Sequence, residues 1–186
     1  CHQCIPIRIP VEEFSFSRNF RRVLRKNRHL KVVVGDLEPT MEKFELYLSH
    51  SGRFEENGAP RYEHFTHSFF ENAPYGKELR IYDGEQLLAV SHMDLTPESL
   101  SAIYCYWNPD YSHLGLGTYA VLRQIALAKQ RRCRYVYLGY YVHENRHMNY
   151  KSKYKPIEAL RTEHDWVTLI AAHEGQVRPD VVEHGF

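Results

Sequence analysis

No apolar run in this sequence approaches the roughly 18 residues that span a bilayer, and its beginning carries no apolar signal-peptide core. The expectation is a cytoplasmic monomer with no membrane partner. Net charge is equally scarce: 24 basic residues against 23 acidic ones leave +1, which excludes a polycation that binds nucleic acid indiscriminately. Cysteine is scarce too. Cys1 and Cys4 form one Cys-x-x-Cys, with Cys105 and Cys133 far away, which is half a metal or iron–sulfur site or a redox pair rather than a disulfide framework. A zinc or cluster site needs four ligands, and only His2 stands nearby, so the other ligands would lie outside this chain. An initiator methionine is also missing, and the expectation is that a longer protein continues upstream.

What is present includes enough apolar and aromatic residues for a core. With 43% hydrophobic residues and 13% aromatics, the chain can bury one substantial core. The expected organisation is a domain over residues 1–165 and an exposed tail over 166–186. Leu100 to Trp107 alternates apolar with small or polar residues and stops at Asn108-Pro109-Asp110, as a strand does. From Leu116, apolar residues recur at Tyr119, Ala120, Leu122, Ile125, Ala126 and Leu127, the pattern of an amphipathic helix. Tyr135 to Tyr141 is an apolar run of the kind buried on both faces of a sheet. The unit is β–α–β with parallel strands. Ligands of open α/β sheets gather at the carboxyl ends of such strands, here the Tyr106–Gly117 turn and the Tyr140–Lys155 exit.

Upstream, Ile5, Ile7, Ile9 and Val11 alternate with Pro6 and Pro10, which predicts an edge strand. Ser17 caps a helix to about Leu30, Lys31–Asp36 is a strand, and Thr40 caps a helix with Met41, Phe44 and Leu48 on one side. Tyr62, Phe65 and Phe69 suit a third helix. Lys77–Tyr82 and Gln86–Leu95 flank Asp83-Gly84 as a hairpin. Helices, then an antiparallel meander, then a β–α–β crossover is the layout of an α/β (α+β) GNAT-like acyltransferase fold, a mixed central sheet with flanking helices. Several acyltransferases of that fold hold the coenzyme A pyrophosphate with Gln/Arg-x-x-Gly-x-Gly/Ala at a helix N-terminus. Ser112-His113-Leu114-Gly115-Leu116-Gly117 has the two glycines without the initial Gln or Arg.

Arg18, Arg21, Arg22, Arg25, Lys26 and Arg28 crowd into eleven residues, and Arg131, Arg132, Arg134 and Lys151, Lys153, Lys155 form two further clusters. Several signatures stand together: Cys4-Ile-Pro-Ile-Arg8, the basic stretch Ser17–Asn27, Tyr106-Trp-Asn-Pro-Asp-Tyr111, Leu116-Gly-Thr-Tyr119, Tyr137-Leu-Gly-Tyr-Tyr141, Met148-Asn-Tyr-Lys151 and Tyr154-Lys-Pro156. Over roughly Cys1–Pro156 the chain resembles the aminoacyl-tRNA–protein transferases of the arginyltransferase type and their bacterial leucyl-transferring relatives. The resemblance implies transfer of an arginyl or leucyl group from the 3′ end of a charged tRNA to a protein N-terminus, typically Asp or Glu, in the N-degron pathway of degradation. Three features depart from the family. Glu144-Asn145 stands where the family has Gly-Cys or Ser-Cys; only Cys1 and Cys4 remain of a cysteine motif proposed to hold an iron–sulfur cluster or another metal in some members; and residues 47–60 lack the family's His-rich pattern, which bears on donor and acceptor choice.

The chemistry of the residues agrees with the resemblance. A tRNA is held through its phosphates, and Arg18, Arg21, Arg22, Arg25 and Lys26 would supply cations from one helix. Its unstacked terminal bases are gripped by aromatic rings. Tyr106, Trp107 and Tyr111, with the Gly115 and Gly117 turn, are the candidates on the donor side. The amino acid arrives already activated as an ester, so positioning and oxyanion stabilisation suffice, with no covalent nucleophile and no cofactor required for the chemistry. Catalytic candidates are His143, with a backbone carbonyl and water as its alternative, to take the amine proton, and Tyr140 and Tyr150 to orient the ester or its 3′-oxygen. Arg146 and Lys151 are candidates for the acidic side chain of the acceptor. A coenzyme-A-dependent N-acyltransferase and a non-catalytic tRNA- or degron-binding module are the alternatives.

Overall fold

The computed structural model describes residues 4–52, 60–142, 145, 148–162, 165–171 and 177–179. In chain order the elements are β1 (Ile5–Pro10), α1 (Arg18–Lys26), β2 (Lys31–Asp36), α2 (Met41–Ser51), α3 (Tyr62–Phe69), β3 (Gly76–Asp83), β4 (Gln86–Leu95) and β5 (Ser99–Trp107). A 3₁₀ turn over Pro109–Leu114 leads into α4 (Leu116–Gln130) and β6 (Tyr135–Tyr141), and a second 3₁₀ turn over Asn149–Lys153 precedes β7 (Glu158–Thr162), β8 (Asp165–Ala171) and β9 (Val177–Pro179). Local chemistry sets the helix starts. Ser17 Oγ accepts the Phe20 N–H at 3.3 Å and Thr40 Oγ1 accepts the Lys43 N–H at 3.3 Å, caps worth about 1 kcal/mol each. The first helix stops at Lys26, short of the expected Leu30, because Asn27 already turns the chain.

The elements fall into two compact units. One comprises Phe16–Thr96 and Ala102–Leu127, with strands in the order β2-β3-β4-β5. β2, β3 and β4 pair antiparallel, from Lys31↔Tyr82 and Gly76↔Asp94 onward, which is the expected meander. Its core gathers Phe44, Leu46, Phe65, Leu87, Val90 and Tyr106. The rings pack edge-on or tilted, as for Phe44–Tyr62 at 5.2 Å and Phe65–Phe70 at 5.2 Å, the geometry aromatic quadrupoles prefer. Beneath this layer Lys43 and Glu78 form a buried ion pair at 2.5 Å.

The other unit comprises Cys1–Ser15, Pro97–Ser101 and Ala128–Phe186. Here Ser99, Leu100 and Ser101 pair in parallel with Tyr135, Val136 and Tyr137. The strand–helix–strand order therefore closes with parallel strands, as expected. β6 pairs antiparallel with β1, β1 with β7, and β7 with β8.

Three expectations need correction in this unit. β1 is not an edge strand, since it lies between β6 and β7. Its prolines are accommodated because β7 pairs only with Ile7 and Arg8, the stretch between them, and the β6 ladder shifts register between Pro6 and Arg8; neither proline nitrogen then has to donate. β6 is not buried throughout: Val136, Leu138 and Tyr141 are, whereas Tyr140 is 54% exposed. The boundary at 165 also fails. Asp165–Ala171 is β8, Leu169 is buried, and Trp166 covers one face of the Arg8 guanidinium at 4.0 Å while Tyr135 covers the other at 3.7 Å. Arg8 also donates to Glu158 at 2.6 Å. No helix among the described residues is long and apolar enough to cross a membrane.

Candidate active site

The turn from Trp107 to Gly117 is held by several hydrogen bonds from other elements of its unit. His50 Nδ1 lies 3.1 Å from the Trp107 backbone nitrogen and 3.2 Å from the Trp107 carbonyl oxygen, so the imidazole holds this residue's backbone. The two rings stand edge to face at 4.2 Å. Asn108 N–H donates to the Leu88 carbonyl at 2.9 Å, and Asn108 Oδ1 accepts the Asp110 N–H at 3.0 Å. The Tyr111 hydroxyl donates to Gln86 Oε1 at 2.8 Å. From α1, Lys26 Nζ donates to the His113 carbonyl at 2.6 Å and Asn27 Nδ2 to the Leu114 carbonyl at 2.9 Å.

Both glycines of Gly-x-Gly have a structural cause. Gly115 has φ +65°, a left-handed conformation that favours glycine. A Cβ on Gly117 would come within 3.1 Å of the Trp107 indole, so this position lets the ring lie on the first turn of α4. The first helical bond of α4 runs from Tyr119 N–H to the Gly115 carbonyl at 2.9 Å. The amides of Leu116, Gly117 and Thr118 have no acceptor within the helix, which gives this end the character of an anion site.

Arg18, Arg21, Arg22, Arg25 and Lys26 are all exposed on α1, which contains no acidic residue. Arg18, Arg21, Arg22 and Arg25 have no ion-pair partner among the described residues. Trp107 and Tyr111 are half-buried. Tyr106 corrects the expectation of a base-stacking ring. It is 0% exposed, sits in the aromatic core and pairs its hydroxyl with His92 Nε2 at 3.3 Å, so no ring face is open to a nucleotide. The alternation of β5 places Tyr106 inward and Trp107 on the opposite face.

In the other unit, Tyr140 and Tyr150 are exposed at the end of β6 and on the second 3₁₀ turn. Lys151 Nζ donates to the Tyr140 carbonyl at 2.8 Å, and partial burial holds its pKa below the ordinary lysine value. Gly139, at φ +73°, makes the bend that brings this carbonyl to Lys151. His143 and Arg146 lie outside the described residues, as does Cys1. Cys4 is exposed, and no group of three or more His, Cys, Asp or Glu side chains among the described residues is placed to hold a metal ion. The described donors therefore do not build a zinc or iron–sulfur site. Burial pushes the Cys105 thiol up to about 12, so it is protonated at neutral pH and poorly suited to nucleophilic attack. Sequence reasoning missed His50 and Asn27. Both are polar residues that the fold buries, and helical spacing alone marks neither as a partner of the Trp107–Gly117 turn.

Comparisons with known proteins bear on the family and the fold. Residues 42–161 match the family model described as arginine-tRNA-protein transferase, C terminus. A protein of Pseudomonas syringae pv. syringae named aspartate/glutamate leucyltransferase is 37% identical over 172 residues, covering 91% of this chain and 73% of the relative. Among solved structures, an acetyltransferase from Streptococcus agalactiae has a TM-score of 0.51 at 12% identity, covering 77% of this chain and 92% of that one. FemX has a TM-score of 0.56 at 7% identity, covering 76% of this chain, and this chain spans about half (54%) of that larger one. These likenesses fix the GNAT-like fold, a mixed α/β sheet with flanking helices. With the family match and the leucyltransferase relative, they lead to one assignment: the chain belongs to the arginine-tRNA-protein transferase family and is an aminoacyltransferase.

Proposed function

We propose that this protein transfers a leucyl or arginyl group from its charged tRNA to the N-terminal amine of proteins that begin with Asp or Glu, marking them for degradation. The observation that carries the reading is the 37% identity with a protein named aspartate/glutamate leucyltransferase over 91% of the chain. The exposed, acid-free cationic face of α1 supports a polyanionic donor.

In this reading the α-amine of the acceptor attacks the ester carbonyl of the aminoacyl-tRNA. The new C–N bond forms, the bond to the terminal ribose oxygen breaks, and the amine proton passes to that oxygen. Arg18, Arg21, Arg22, Arg25 and Lys26 hold donor phosphates. The free amides at the start of α4, beyond Gly115 and Gly117, hold an anionic group of the donor's 3′ end, with Trp107 and Tyr111 against its bases. Tyr140 and Tyr150 orient the ester. Lys151 and Arg146 meet the acceptor carboxylate, and His143, or a carbonyl-bound water, relays the proton. Catalysis is then mainly a matter of geometry.

The test is incubation of the full-length protein with labelled leucyl- or arginyl-tRNA and peptides beginning with Asp, Glu or Ala. Label on the acidic peptides alone is the expected result, and the active tRNA names the donor. No transfer from either tRNA, with acylation from acetyl-coenzyme A instead, would sink the reading. Lys151→Gln should raise KM for the Asp peptide about tenfold or more, as for a lost charge-assisted bond. It should leave KM for tRNA unchanged.

A further inference from the structure

The proposal rests on the aminoacyl-tRNA reading above and concerns the two polar links between α1 and the turn into α4. Asn27 is 0% exposed. It sits directly after the cationic helix, and its Nδ2 donates both to Val23 O in that helix at 3.1 Å and to Leu114 O at 2.9 Å. Leu114 is the last residue of the 3₁₀ turn, immediately before the left-handed Gly115. Lys26, one residue earlier, holds the neighbouring His113 carbonyl at 2.6 Å. A single short segment at the end of α1 therefore clamps two successive carbonyls of the turn whose next residues open α4.

The clamp does more than hold the fold. A buried amide that divides its two hydrogens between its own helix and the turn ties the two together: losing the bond across to Leu114 O leaves a buried carbonyl unsatisfied, whereas Val23 O still accepts the Asn27 backbone N–H at 3.2 Å. Asn27 Oδ1 is itself buried without a hydrogen-bond partner among the described residues, so the two donor bonds are the polar compensation for burying this amide. Phosphates captured on Arg18, Arg21, Arg22 and Arg25 lie on the same helix. Binding energy from such a remote part of a substrate raises the chemical rate only if the binding element is rigidly coupled to the reacting end.

We propose that Asn27 is a positioning residue, coupling the phosphate-binding helix α1 to the Gly115 turn so that binding of the tRNA body sets the geometry of the donor's 3′ end. The coupling predicts a difference between two donors. Leucyl-tRNA engages α1, whereas leucyl-CCA trinucleotide carries the same ester and terminal bases without the body. In the wild-type full-length protein, kcat should be higher for leucyl-tRNA than for the trinucleotide. Asn27→Ala should lower kcat for leucyl-tRNA about tenfold or more, the scale of one buried hydrogen bond, towards the trinucleotide value, while kcat for the trinucleotide stays within about twofold of wild type by the same coupling argument. Asn27→Ser, which keeps a short hydroxyl donor, should fall between them.

An equal loss with both donors in both variants would make Asn27 a scaffold residue and overturn the proposal, and so would a loss confined to KM. The same holds if the variants keep the wild-type kcat with leucyl-tRNA. Wild-type protein inactive with both donors, or active only with the arginyl forms, would register first in the wild-type controls. Inactivity would refute the underlying reading and this proposal with it, and arginyl activity would move the same comparison to arginyl-tRNA and arginyl-CCA, judged by the same outcomes.

Discussion

The cationic face of α1 makes a quantitative prediction about salt. The whole chain is nearly neutral at +1, so long-range attraction by net charge contributes little, and tRNA affinity has to come from local cations. Arg18, Arg21, Arg22 and Arg25 are exposed and have no ion-pair partner among the described residues, whereas Lys26 is engaged with the His113 carbonyl. Four phosphates neutralised at about 0.7 to 0.9 released counterions each give a log–log salt slope of about −2.8 to −3.6. A fourfold rise in salt should then weaken tRNA binding about 50- to 150-fold. Replacing Arg22 and Arg25 together by Gln should make the slope shallower by about 1.5, and Arg28→Gln, beyond the helix, should change it less. Fluorescence anisotropy of labelled tRNA between 50 and 200 mM salt, on the order of the range where such slopes are measured, reads this directly. An unchanged slope in the double variant would refute the assignment of α1 as the phosphate-binding face, whatever the affinity itself does.

Further predictions concern the core and the turn. Gly117→Ala gains about 0.5 to 1 kcal/mol of helix propensity but sets a methyl 3.1 Å from the Trp107 indole. The melting temperature should shift little while KM for charged tRNA rises severalfold, and an unchanged KM would show that the indole position is immaterial. Lys43→Met strands the Glu78 carboxylate, which has 0% side-chain exposure and has Arg80 Nε at 3.3 Å as its remaining cation. The cost should be about 3 to 5 kcal/mol, or about 6 to 20 °C in Tm for a chain of this size. Lys43→Met/Glu78→Gln should recover most of that loss by calorimetry, and strictly additive losses would contradict the coupling. Burial, with the Lys43 charge second, pushes His92 from 6.5 down to about 3. Between those values the unfolded chain binds a proton that the folded chain refuses, so the His92 contribution is present above about pH 6.5 and is lost as pH falls towards 3. His92→Phe should flatten that acid limb of the urea-unfolding free energy, and a limb of unchanged slope would place the effect elsewhere.

Sequence alone determined the elements whose identity is written locally. The 3.6-residue period of Leu116–Gln130, the Asp83-Gly84 hairpin, and the Ser17 and Thr40 caps are short-range signals, and the corresponding elements lie where these place them. The family signatures were also legible, because they are strings of neighbouring residues. The tertiary structure decided what depends on partners distant in the chain. Ile5–Pro10 reads as an edge strand because prolines lack a donor, yet β7, some 150 residues later (Arg8 to Glu158), pairs with just the two residues between them. Trp166 reads as tail until Arg8 lies over it. Tyr106 and Trp107 are adjacent aromatics with opposite fates. The pleat of β5 turns one into the core and the other towards Gly117, and only the packing says which face is inward. His50 and Asn27 acquire meaning only from the turn 57 and 87 residues away that they hold. A buried polar side chain is defined by its partner, and sequence gives no distance between two residues so far apart in the chain.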